Sequence, residues 1–146
     1  MAGLRVTGLF LLDTSAWAQR LHHPVARSRM DELFVADQAA TCLPVSLELL
    51  YQVRNTAEFE RQQTALQELQ WLPGGRDVEH AAIETMRLLA EHGQHRTPLP
   101  DIMIAATARV HGATVVHYDG DFERIAEATG QRHEWIVPRG SGHGLG

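Results

Sequence analysis

A chain of 146 residues suffices for one domain that buries its own core without disulfides or a structural metal. Its formal net charge of −5 at pH 7 excludes the broad cationic face of a simple nucleic-acid binder, so any nucleic acid must be held locally. All 13 basic residues are Arg, and the absence of Lys excludes a Walker-type phosphate loop.

The start, MAGLRVTGLFLLDTS, has a short apolar run that Asp13 interrupts before signal or membrane length is reached, which predicts a cytoplasmic protein. Leu9 to Leu12 reads as a buried strand running into the Asp-Thr-Ser cluster of a helix start. Two other doubly wound folds place an Asp there, the haloacid dehalogenase-like phosphatases and the response-regulator receivers. Both need a Lys, which this chain lacks, and the former also want an Asp where Ser15 stands. Helical spacing continues from Thr14 to about Leu21, breaks at His22-His23-Pro24, and resumes from Val25 to about Val35. A short strand fits Ala40 to Leu43, and the single cysteine within it, Cys42, reads as a buried thiol of a reducing compartment.

Pro44 suits a helix's first turn, after which Val45, Leu47, Glu48, Leu50, Tyr51 and Arg54 recur at helical spacing. A carboxylate on so apolar a helix is expensive unless Arg54 or another Arg pairs with it. A polar helix from about Ala57 to Gln70, a brief Trp71-Leu72 strand and the turn Pro73-Gly74-Gly75 follow, then a helix from Val78 to Glu91. The prolines of HRTPLPD hold off the next helix until Asp101, which opens the apolar run IMIAATARV. Gly112 ends that helix. Thr114 to His117 reads as a strand, Asp119 to Ala128 as a helix stopped at Gly130, and Glu134 to Val137 as a last strand. Residues 1–138 thus form one domain, and the Gly-rich residues 139–146 form a flexible tail.

The alternation of strands and helices predicts a three-layer α/β/α sandwich around a mostly parallel sheet of about five strands. Ligands of such sheets collect beyond the strands' carboxyl ends. Asp13 and Asp119 follow strand ends, Glu48 lies about one turn into the helix after strand two, and Asp101 opens the helix before strand four, so all four can reach one crevice. Carboxylates gathered there repel one another unless a cation joins them. With no zinc-type grouping of Cys and His, the donor set suits a hard ion such as Mg²⁺, with Mn²⁺ as a substitute.

These motifs, Asp13-Thr14-Ser15, Glu48 on its helix, Asp101 before an Ala-rich helix, and Asp119-Gly120-Asp121-Phe122, occur in the order of a PIN-domain ribonuclease. The chain resembles the VapC-type toxins of bacterial toxin–antitoxin pairs from about Leu9 to Pro138, although His117 stands where that family often has Thr or Ser. The resemblance implies Mg²⁺-dependent hydrolysis of RNA phosphodiester bonds without a covalent intermediate. It further implies Asp13, Glu48, Asp101 and Asp119 or Asp121 as the catalytic, metal-holding set, a small VapB-like antitoxin as partner, and a homodimer drawing on Leu49, Leu50 and Tyr51. Thr14 and Ser15 either orient the Asp13 site or cap the helix. Arg96, or Arg20, Arg27 and Arg29, can meet a phosphate through the guanidinium fork. The competing reading is a PIN-like module that binds RNA or protein without chemistry, which the retained carboxylates oppose.

Overall fold

The computed structural model describes residues 8–142. Five strands, β1 (Leu9–Leu12), β2 (Ala39–Thr41), β3 (Gln70–Trp71), β4 (Ala113–His117) and β5 (His133–Trp135), form one sheet in the order β3-β2-β1-β4-β5. Every pairing is parallel, with Leu11 opposite Ala40 on one side and Val115 on the other. Seven helices connect them: α1 (Thr14–Arg20), α2 (Pro24–Val35), α3 (Leu43–Tyr51), α4 (Thr56–Gln67), α5 (Arg76–Glu91), α6 (Leu99–His111) and α7 (Asp121–Thr129).

Successive strand residues face opposite ways, so each central strand feeds two cores. Leu11 and Val115 pack under α3, α5, α6 and α7 through Val45, Leu89, Ile104 and Phe122. Leu12 and Val116 pack under α1 and α2 through Ala16, Ala26, Met30 and Leu33. The three-layer α/β/α arrangement expected from the sequence is therefore present, with the sheet all parallel among the described residues. Cys42 is buried, and burial pushes its thiol up to about 11, which keeps it inert.

The winding reverses between β1 and β4: β2 and β3 continue on one side of β1, while β4 and β5 lie on the other. Such a switch point parts the connections leaving two adjacent strands and opens a crevice at their carboxyl ends. The Asp13 N–H donates to Val116 O at 2.9 Å, extending the β1–β4 ladder to the rim of that crevice.

Boundaries differ from the sequence reading at several elements; β2 ends at Thr41, so Cys42 and Leu43, expected within that strand, stand at the start of α3. Helix α6 begins at Leu99, not Asp101, because Pro100 needs no partner for a missing N–H within the first turn. Helix α7 begins at Asp121, with Asp119 ahead of it. Gln70, expected in a helix, pairs in β3, and β5 ends at Trp135 although Ile136 and Val137 beyond it are buried. Of the expected tail, residues 139–142 are described, with Tyr118 Oη accepting from the N–H groups of Gly140 and Gly142. Residues 143–146 lie outside the described residues.

Candidate metal centre

Asp13 caps α1 from an extended conformation and is buried. Its Oδ2 accepts the Ser15 N–H at 3.0 Å and the Ser15 hydroxyl at 2.6 Å. Ser15 Oγ in turn accepts the Tyr118 N–H at 2.8 Å, tying the start of α1 to the segment that leaves β4. The cap is thus Asp13, and Ser15 fixes its carboxylate. Thr14 reaches a different partner, donating to Glu48 Oε1 on α3 at 2.9 Å. The expected Glu48–Arg54 pairing is not formed, because Arg54 lies beyond the end of α3 and pairs with Glu58. A hydroxyl orients Glu48 instead, and no ion pair reaches it among the described residues.

Asp101 stands in the first turn of α6, buried, and its carboxyl is pushed up to about 7. Burial is the largest cause, followed by the charges of Asp119, Asp13 and Glu48, and a hydrogen bond that Asp101 shares with Asp119. Asp13 is also raised, chiefly by burial, against which its two bonds from Ser15 work. Asp119 is raised by burial and drawn back by the Arg124 guanidinium.

Carboxylate oxygens of Asp101, Asp119 and Asp121 lie within 4.8 Å of one another, and this is the one such group of three potential ligands among the described residues. Both candidates for the last acidic position are therefore brought in: Asp119 directly, and Asp121 from the first turn of α7, where it is ion-paired with Arg124. Asp13 and Glu48 lie outside the trio but near enough to shift Asp101. An all-oxygen donor set whose buried member, Asp101, is pushed up by its acidic neighbours fits a hard divalent cation, which would relieve the repulsion.

His117 sits fully buried against Phe122 and Trp135. Its Nδ1 accepts the Asp119 N–H at 3.1 Å, so its proton is on Nε2, which lies 2.9 Å from His133 Nδ1. Burial and His133 push its pKa down to about 3, keeping the ring neutral. His133 and Arg124 escaped the sequence reading. Arg124 carried a usable signal, three residues after Asp121 on a helix, but nothing in sequence announces that β5 sets His133 beside His117.

Among the arginines proposed for phosphate, Arg20 and Arg29 are engaged by Asp31 and by Glu134 and Glu32. Arg27 is exposed on α2, and Arg96 is exposed on the loop between α5 and α6.

A family model for the PIN domain matches residues 10–128. The chain is 38% identical over 132 residues to Ribonuclease VapC51 of Mycobacterium tuberculosis H37Rv, covering 90% of this chain and 96% of that protein. It is equally 38% identical over 136 residues to Ribonuclease VapC18 of the same organism, covering 91% and 98%. Its fold is similar to a chain of DNA-bound VapBC from Salmonella typhimurium, with a TM-score of 0.71 at 22% identity over 90% of this chain and all of that one.

Proposed function

This chain belongs to the PIN domain family, and on that premise we propose that it is the toxin of a toxin–antitoxin pair, an endoribonuclease that hydrolyses RNA phosphodiester bonds with Mg²⁺, or Mn²⁺ in its place. The observation that carries the reading is the carboxylate cluster itself: Asp101, Asp119 and Asp121 within 4.8 Å, flanked by Asp13 and Glu48, at the switch point of a parallel sheet. Relatives named as ribonucleases, similar along nearly the whole chain, support the choice of RNA as substrate.

Asp101, Asp119 and Asp121, with Asp13 and Glu48 beside them, would hold the divalent ion, which would supply an acidified water and offset charge growing on the phosphate. The chain's own groups do the rest. Ser15 and the Tyr118 N–H hold Asp13 in one orientation, and His117 holds the Asp119 backbone. Glu48, oriented through one oxygen by Thr14, keeps a second oxygen to take the proton of the attacking water. Water adds to phosphorus, the bond to the leaving oxygen breaks, and no covalent enzyme intermediate forms.

The partner is a small VapB-like antitoxin, whose Arg entering the cluster would compete with the ion through charge-assisted hydrogen bonds. The protein acts in the cytoplasm; among the described residues no helix is long and apolar enough to cross a membrane. It pairs as a homodimer, for which α3 offers exposed Leu47 and Tyr51 beside half-buried Leu49 and Leu50. Sedimentation of the antitoxin-free protein as a monomer would discard the dimer.

Antitoxin-free protein incubated with total RNA should give discrete cuts with Mg²⁺ that vanish with chelator and in folded Asp13→Asn or Asp101→Asn. Normal cutting by either variant would refute the site. No cutting by wild type, with metal binding verified, would favour the non-catalytic binding module.

A further inference from the structure

Arg124 lies between two unlike surroundings. On one side it is ion-paired with Asp121, and its charge also reaches Asp119. On the other it lines an open hollow whose far wall is the loop between α5 and α6, with His95, Arg96 and Thr97. No carboxylate lines that hollow. Arg96 has no acidic side chain within ion-pair distance among the described residues, a state it shares with Arg27, Arg61, Arg76, Arg109 and Arg132 but not with Arg20, Arg29, Arg54, Arg87 and Arg139; of the unpaired ones it alone lines this hollow.

The loop that presents Arg96 is held rather than loose. Gln94 N–H donates to Leu89 O at 2.7 Å, and Thr97 returns both its N–H, at 3.1 Å, and its hydroxyl, at 2.8 Å, to Gln94 O. Thr97 is buried, and Pro98 then fixes the entry to α6, on whose first turn Asp101 stands. An unpaired guanidinium on a fixed turn, a second one bordering the carboxylate trio, and a wall free of acids make a seat for an anion beside the candidate metal centre.

We propose that this hollow seats an RNA phosphate neighbouring the scissile one, gripped by Arg96 and by Arg124, which exchanges Asp121 for the phosphate when a divalent cation takes over Asp121. The proposal rests on the nuclease reading and adds where the strand runs: from the carboxylates across α7 towards the α5–α6 loop. The exchange needs only rotation of one long side chain. The Arg124–Asp121 pair joins residues three apart on a helix and is partly open to water, so it is weak and readily traded. Until the cation arrives, Arg124 neutralises part of the acidic cluster. Afterwards its five donors are available to phosphate oxygens.

The test is fluorescence anisotropy of a labelled mixed-sequence pool of 2′-O-methyl RNA octamers with full-length antitoxin-free protein, in Mg²⁺ and in EDTA, checking that the octamers stay intact. In Mg²⁺, Arg96→Gln and Arg124→Gln should each weaken binding on the order of 5- to 10-fold. In EDTA, Arg96→Gln should still weaken it, whereas Arg124→Gln should weaken it clearly less than in Mg²⁺, by no more than the loss of its screening of the acidic cluster, and Asp121→Asn should make binding more sensitive to Arg124 without metal. If both Arg variants bind as wild type does in Mg²⁺ while wild type cuts RNA, the subsite is wrong and the nuclease reading stands. Equal weakening by Arg124→Gln with and without Mg²⁺ overturns the exchange. Wild type that neither binds nor cuts RNA overturns both.

Discussion

A carboxyl buried among other carboxyls keeps its proton far longer than one in water, and at Asp101 that shift, to about 7 from 3.8, ties stability to pH. The folded pKa lies above the unfolded one, so the contribution to stability is fully present below about pH 4 and is lost as pH rises through about 7. Asp13 and Asp119 are raised as well and act with the same sign. Asp101→Asn removes the ionisation, so in EDTA it should be more stable than wild type at pH 8, with the difference vanishing towards pH 4. Discounted for water that reaches the partly open cluster, the gain is about 1–2 kcal/mol, roughly 3–6 °C in Tm. Thermal melts across that range check it, and a variant less stable than wild type at pH 8 would show that Asp101 is held by attractions the charge balance omits. With Mg²⁺ the order should reverse, because wild type gains a ligand's binding energy that the variant has lost.

At the scale of elements, the junction from β4 to α7 carries the most structure per residue, since His117 closes the strand, Asp119 stands in the link and Asp121 opens the helix. His117 acts there as a backbone clamp. Without it the Asp119 N–H loses its acceptor, and the carboxylate loses the frame that aims it into the trio. His117→Ala should therefore weaken Mn²⁺ binding about 10-fold, by the usual cost of removing a group that orients a ligand. His117→Asn, whose oxygen can stand in for Nδ1, should restore part of it; calorimetric titration that finds both variants binding as wild type would remove the clamp from the site. This junction also marks how far sequence could be read. Strand β1 and its Asp13 were legible because an apolar run ends abruptly in polar caps, and Asp101 because two prolines delay an apolar helix, though by two residues too late a start. Contacts made across the sheet were not legible. Arg54 is close to Glu48 along the chain, whereas Thr14 reaches it only because β1 and β2 are neighbours and deliver the starts of α1 and α3 to the same rim. His133 beside His117 depends in the same way on β4 pairing with β5.

For the molecule as a whole, a net charge of −5 sets a condition on any RNA-binding mode: attraction must come from few cations placed well, against a repulsive background. Half of the described arginines are already ion-paired, among them Arg20 with Asp31, Arg29 with Glu134 and Arg139 with Glu123, so these have little counterion to release on meeting RNA. If Arg96 and Arg124 are the two that grip phosphate, each contributes about 0.7 to the slope of log affinity against log salt for a single strand. The slope should then be no steeper than about −1.4, a loss of roughly sevenfold between 50 and 200 mM salt with the divalent ion held constant. Arg96→Gln should flatten it by about 0.7. A basic nucleic-acid binder with many phosphate contacts would lose orders of magnitude over the same interval, and such a slope here would mean that a cationic surface outside this hollow carries the strand. A shallow slope instead places discrimination in the divalent centre and the walls around it, so that affinity for RNA in bulk stays low while a phosphate reaching the carboxylates is held where water can attack it.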